Sequence, residues 1–286
     1  MRVLKTGFLL ALMTALLVFI GGVIGGPRGT MVAFGIAMAI NVVQYWFSDK
    51  IVLAMYGAKP LGEADAPQVY RVVREIATRI HIPMPKLYWI PTASPNAFAT
   101  GRSPRHASVA VTSGLVELMS EEELKGVLAH ELSHVQNRDT LVMTIAAAVA
   151  GAIMMLARMA EWGVWMGGSS RSRDDERGSG AGQLIALLLV AMLAPLAAML
   201  IQLAISRTRE YGADDTGAHL AGSPYGLASA LEKLDRAKRA YPLPNANPAT
   251  AHLWIVNPLS GGMIANLFST HPPIAERIRR LRAMRL

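Results

Sequence analysis

Four stretches of the chain are largely apolar and free of Asp, Glu, Lys and Arg: Thr6 to Pro27, Gly29 to Ser48, Thr140 to Ala157 and Gly178 to Ser206. They run to 22, 20, 18 and 29 residues, and a helix needs about 20 to cross a hydrocarbon core. The pattern therefore predicts four membrane spans. The first follows a basic start at Arg2 and Lys5, but it is longer than the apolar run of a cleaved leader and no small-residue cleavage site follows it, so it reads as an anchor. Pro195 should kink the fourth span. A fifth uncharged run, Ala240 to Ala275, carries Pro242, Pro244, Pro248, Pro258, Pro272 and Pro273 and reads as loop.

Between the second and third spans the pattern turns globular. Val69, Val72, Val73, Ile76 and Ile80 fall on one face of a helix spanning Ala66 to His81. Lys86 to Pro91 and Ala107 to Thr112 read as short strands, with Asn96 to Gly101 an extended or turn segment between them. Ser120 opens a helix, and Glu123 three positions on completes a capping box. Pro272 and Pro273 open a last short amphipathic helix bearing Arg277, Arg279, Arg280, Arg282 and Arg285.

Composition agrees with the membrane reading. Of 286 residues, 52% are hydrophobic and 17% charged, where a soluble domain carries about 25% charged. With no cysteine, thiol chemistry and disulfides are excluded, and any metal must be held by His, Asp or Glu. Residues 48–139 and 206–286 lie on one side of a four-span chain. That side holds 10 and 11 of the 28 basic residues, and the positive-inside rule makes it cytoplasmic. Of the net charge of +8, most sits in the last segment, where eleven basic residues oppose six acidic ones without any helix-turn-helix or stacking-aromatic motif, so a lipid surface is expected as partner and nucleic acid is not.

The capped helix carries His130-Glu131-Leu132-Ser133-His134. Residues four apart share a helical face, so both imidazoles can reach one metal ion while the intervening carboxylate meets a water beside it. Chance gives only about 0.007 such matches in a chain of this composition. A catalytic zinc needs one more protein ligand. Glu210 and Asp214 follow the fourth span on one helical face, one suited to ligation and the other to holding a histidine. Spacing alone leaves Glu210, Asp214, Asp139, Asp215 and Glu276 open.

In these motifs and their order the chain resembles the HtpX family of bacterial membrane zinc metalloproteases, relatives of the CAAX prenyl protease. The resemblance covers two N-terminal spans, Ser94 to Gly101, the His-Glu-Leu-Ser-His helix, two more spans, Arg209 to Asp214, and Phe268 to Pro273. It implies one zinc ion held by His130, His134 and Glu210, with Glu131 as base and Asp214 backing a ligand. It also implies His271 and Arg277 near the metal, and Asn96 and Ala97 on an edge strand that binds substrate backbone.

The expected fold is mainly α with a small β-sheet, a four-span membrane protein carrying a zincin-like metalloprotease domain. Residues 1–47 would hold two transmembrane helices, 48–139 the first part of the catalytic domain, 140–205 two further helices joined by a Gly- and Ser-rich loop, and 206–286 the second part. The expected function is a metalloendopeptidase of the bacterial inner membrane, facing the cytoplasm and acting on membrane or misfolded proteins. The rival is a non-enzymatic membrane scaffold with a relic metal site, which would not need Glu131. An intramembrane protease fits less well, because Glu121 to Glu123, Lys125, Arg138 and Asp139 surround the motif with charge.

Overall fold

The computed structural model describes residues 2–167, 199, 207–243, 246–259 and 271–286. Helix α1 (Arg2–Met55) is followed by β1 (Lys59–Pro60), α2 (Pro67–Arg79), β2 (Lys86–Ile90), β3 (Ala97–Thr100), β4 (Ser108–Thr112), α3 (Ser113–Leu118), α4 (Glu121–Gln136) and α5 (Thr140–Gly167). After the predicted fourth span come α6 (Arg207–Ala221), α7 (Pro224–Ala240) and α8 (Ile274–Ala283). The fold is mainly helical with one small mixed sheet, as the sequence pattern predicts.

α1 contains two helical arms. They meet at Gly26, whose φ of 58° and ψ of −146° lie where residues other than glycine are strained. Among the described residues, Gly26–Met55 is the one stretch long and apolar enough to cross a membrane. Its Met31, Val32, Phe34 and Trp46 stand at least half exposed, as side chains facing lipid would. Thr6–Phe19 and Thr140–Gly151 are apolar helices of shorter length. The predicted fourth span and the loop before it lie outside the described residues, Met199 apart.

The sheet has the order β1-β2-β4-β3, with β2 and β4 parallel and the two outer pairs antiparallel. Alternation along its strands divides the protein in two. Leu87, Ala97, Ala99, Val109 and Val111 face a core shared with α2, α4, α6, α7 and α8. Ile90, Phe98 and Ala110 face a second core with α1 and α5. Both faces are thus buried, and the strands read as continuous apolar runs. The sheet ties the apolar helices to the polar half of the molecule.

Segment 246–259, expected as loop, is irregular but packed. Trp254 is fully buried, with Phe98 and Tyr56 each set edge-on to it at 4.8 Å between ring centroids, and the Tyr56 hydroxyl hydrogen-bonds Thr250. This clasp joins the end of α1 to β3. The arginines of α8 also divide. Arg279 and Arg280 pair with Glu276 at the surface, whereas Arg277 is fully buried. Arg277 therefore plays no part in the lipid attraction expected of that basic cluster.

Candidate metal centre

The site is built where α4 crosses α6. Ser120 accepts from the Glu123 backbone N–H, and Glu123 accepts in return from Ser120, so the capping box is formed. α4 then turns His130, Glu131 and His134 into the interior, none more than 3% exposed. On α6, Glu210, Asp214 and Gly217 recur at i, i+4 and i+7 and face α4. A Cβ on Gly217 would sit 3.0 Å from the His130 Cα and N, so glycine lets the two backbones approach closely enough for the side chains to meet.

One ligand atom from each of His130, His134 and Glu210 lies within 4.8 Å of the others. The His134 Nε2 is 3.6 Å from Glu210 Oε1, and the His130 Nε2 is 3.9 Å from Glu210 Oε2. Tetrahedral zinc with bonds of about 2.1 Å sets its ligands roughly 3.4 Å apart, so the three side chains, up to 4.8 Å apart, would draw inward to share one ion. Among the described residues Glu210 Oε1 is buried without a hydrogen-bond partner, an acceptor left open for a cation. The donor set of two imidazoles and one carboxylate, drawn in around such an atom, fits a divalent metal.

Electrostatics agree. Burial outweighs the pull of Asp214 and lowers the His130 imidazole to about 4, leaving it neutral and able to ligate. Burial raises Glu131 to about 8, with the charge of Glu210 adding to the effect. For Glu210 burial acts upward, but His271, His134 and His130 together hold it well below the usual carboxylate range. His134 is raised: burial opposes its charged form, and Asp139, Glu210 and Glu131 outweigh that. Without a cation Glu131 and His134 thus lean toward their protonated forms, and the charge of a bound metal would favour the ionised carboxylate and the neutral ring.

The other predicted residues arrive by different routes. Asp214 Oδ1 lies 3.0 Å from His130 Nδ1, opposite the ligating edge of the ring. It is gripped by Arg277, whose Nε and NH2 donate to its two oxygens at 2.8 and 2.6 Å. Arg277 also donates to the Ile255 carbonyl, and its NH2 lies 3.5 Å from His130 Nδ1, so it borders the back of the His130 ring as well as holding Asp214. His271 Nδ1 is 3.0 Å from Glu210 Oε2, and its buried Nε2 has no partner. Asn96 is engaged elsewhere: its amide donates to the Val256 carbonyl and accepts from the Ala97 and Val256 N–H groups. The Ala97 carbonyl accepts from Ile255 N–H.

Two contacts escaped the sequence. The Ala99 N–H donates to Glu131 Oε2 at 2.8 Å, so β3 touches the centre two residues after Ala97. Asp139, weighed only as a possible ligand, lies instead behind His134. A backbone N–H leaves no mark in a sequence, and Asp139 is five positions from His134, a spacing that points away from it on a continuing helix.

Three ligand atoms on two crossing helices, with a carboxylate directly after the first histidine, are the arrangement of a metallopeptidase. Residues 63–285 match Peptidase family M48, and the chain belongs to this family. Its relatives there include proteins named Protease HtpX homolog. The one from Syntrophobacter fumaroxidans is 59% identical over 280 residues, covering 98% of both chains. The one from Pyrococcus furiosus is 54% identical over 278 residues, covering 97% of this chain and 94% of the relative. The crystal structure of S. mikatae Ste24p is similar in fold, with a TM-score of 0.50 at 19% identity. That match covers 96% of this chain and 62% of the other, so this chain spans less than two thirds of that protein's length.

Proposed function

We propose that the protein is a membrane-bound zinc endopeptidase, with one zinc ion held by His130, His134 and Glu210. The observation that carries this reading is the buried convergence of those three side chains beside a fourth, Glu131, that no ligand role requires. Zinc, when bound, supplies a Lewis acid to a peptide carbonyl and lowers the pKa of water toward about 7. Glu131 takes the proton from the attacking water at its carboxylate and returns it to the leaving amine. Asp214 accepts the Nδ1–H of His130 and fixes its tautomer, and Arg277 holds Asp214 in place. His271 already meets Glu210 through Nδ1, so it stabilises the developing oxyanion through Nε2 only as an imidazolium.

Substrate lies extended along the edge of β3, where pairing to backbone reads little side-chain identity. Asn96 serves by fastening the strand to Val256, and Ala97, whose N–H and carbonyl are bonded to Asn96 and Ile255, by holding the strand in register beside the substrate. Such a track suits unfolded segments of membrane or misfolded proteins, hence quality control under stress. The distribution of basic residues supports four spans in the inner membrane, with residues 48–139 and 206–286 in the cytoplasm.

The test is cleavage of casein and model peptides by the purified full chain in detergent, with products identified by mass spectrometry. Fragments are expected with zinc and none with a chelator. Equal cleavage in both, or none in either, contradicts the reading in favour of a scaffold with a relic metal site.

A further inference from the structure

His130 and His134 are both buried, and each has a ring nitrogen turned away from Glu210. Behind His130 stand Asp214 and Arg277. Behind His134 stands a second pair built from different parts of the chain, at ion-pair rather than hydrogen-bond distance: Asp139 Oδ2 lies 3.6 Å from His134 Nδ1, and Arg209 NH1 lies 3.5 Å from Asp139 Oδ1. Asp139 is 3% exposed, too buried for a carboxylate placed there by accident.

The backbone shows how it gets there. α4 ends with the Arg138 N–H bonded to the Val135 carbonyl and the Asp139 N–H bonded to the His134 carbonyl. Arg138 takes φ 55° between them. This is the Schellman reversal, which ordinarily places glycine at the left-handed position. Here arginine occupies it against its preference, and the reversal folds Asp139 back beneath the histidine five residues earlier. Thr140 at the start of α5 donates to the Gly101 carbonyl, holding the corner against the end of β3. Arg209 comes from α6, one residue before Glu210, so the helix that brings the third ligand also brings the cation for Asp139.

We propose that Asp139 is a positioning residue for the metal centre: it accepts the Nδ1–H of His134, fixing the tautomer that presents Nε2 to the ion, and Arg209 orients its carboxylate. Each ligand histidine is then backed by its own aspartate and arginine. The pair behind His130 is close and bidentate, and the pair behind His134 is looser. The proposal rests on the zinc reading of the centre and concerns affinity, so its test does not depend on proteolysis.

The experiment measures the zinc dissociation constant of the full chain in detergent by competition with a chromophoric chelator. The variants are Asp139→Ala, Asp139→Asn and Arg209→Gln. Asp139→Ala should bind zinc about 10–100-fold more weakly. Asp139→Asn, which keeps an acceptor for Nδ1–H but loses the charge, should recover a substantial part of that loss, and Arg209→Gln should cost several-fold. A cobalt-loaded Ala variant should show a shifted visible absorption band that the Asn variant restores, which a purely structural role would not produce. Zinc affinity in Asp139→Ala within about twofold of the parent overturns the proposal. If that variant fails to fold, Asp139→Asn decides: affinity equal to the parent's overturns it, and weaker binding with unchanged melting temperature sustains it. A parent that holds no zinc overturns the metal reading itself.

Discussion

The two ends of α4 solve the same problem in opposite ways. At its N-terminus the exposed backbone donors are met within four residues by Ser120 and Glu123, and α7 then locks Glu123 through Ser229 at 2.6 Å and Lys233 at 2.7 Å. In its C-terminal half, His130 and His134 depend on partners far off in sequence: Glu210, Asp214, His271 and Arg277, with β3 supplying a donor to Glu131. One end is formed by local chemistry and reinforced by α7, away from the metal ligands. The other exists only when α6, α8 and the sheet are docked, so the metal centre registers whether the whole domain has assembled.

Substitutions that strike the long-range end should therefore cost both stability and metal, and those at the local end stability alone. The largest effect is expected from Arg277→Met, which leaves Asp214 buried without its cation. Such a break costs about 3–5 kcal/mol, and it should appear as a lower melting temperature together with lost zinc. A smaller loss is expected from Gly217→Leu, which forces side-chain atoms against the His130 backbone. Overpacking of this kind costs about 1–3 kcal/mol, and by pushing α6 outward it should weaken zinc binding although no ligand has changed. Normal zinc affinity in a destabilised Gly217→Leu would break the comparison.

The local end has a pH signature. Burial alone would raise Glu123, but Lys233, Ser229 and Ser120 outweigh it and bring the carboxyl from 4.5 to about 2. A carboxylate whose folded pKa is depressed contributes stability above its unfolded pKa and loses it as pH falls through the folded one. Glu123→Gln should thus be less stable than the parent near neutral pH by about 1–2 kcal/mol, because Lys233 is partly exposed and solvent screens the pair. The difference should shrink between about pH 4.5 and 2, with zinc content unchanged at neutral pH. Paired unfolding curves across that range check it.

The same contrast explains what the sequence revealed. The capping box, the paired histidines, β2 and β4 are local or periodic, and each stood in the sequence within a residue or two of its observed bounds, whereas the two-residue β1 left no such pattern. Glu210 and Asp214 were legible as a pair but not in their separate roles, because both occupy one face of α6. Only docking on α4 sends Glu210 toward the Nε2 atoms and Asp214 to His130 Nδ1. Arg277 looked like one of five arginines on a surface helix, and its burial is a tertiary fact. Asp139 was hidden by a left-handed residue at Arg138, a conformation that an arginine does not announce. Of the four spans read from the sequence, Gly26–Met55 is the one long and apolar enough among the described residues, and the fourth lies outside them.

The central claim is that α4 carries two kinds of group, ligands and a base, and the most direct test is zinc content beside casein cleavage in Glu131→Gln and Glu210→Ala. Glu131→Gln keeps the shape but cannot take up a proton, so zinc should stay close to one per chain while cleavage falls at least about 100-fold. Glu210→Ala should lose zinc and cleavage together. A Glu131→Gln variant that loses its zinc while Glu210→Ala retains it would reverse the two roles, and cleavage at the parent rate in both would contradict the account.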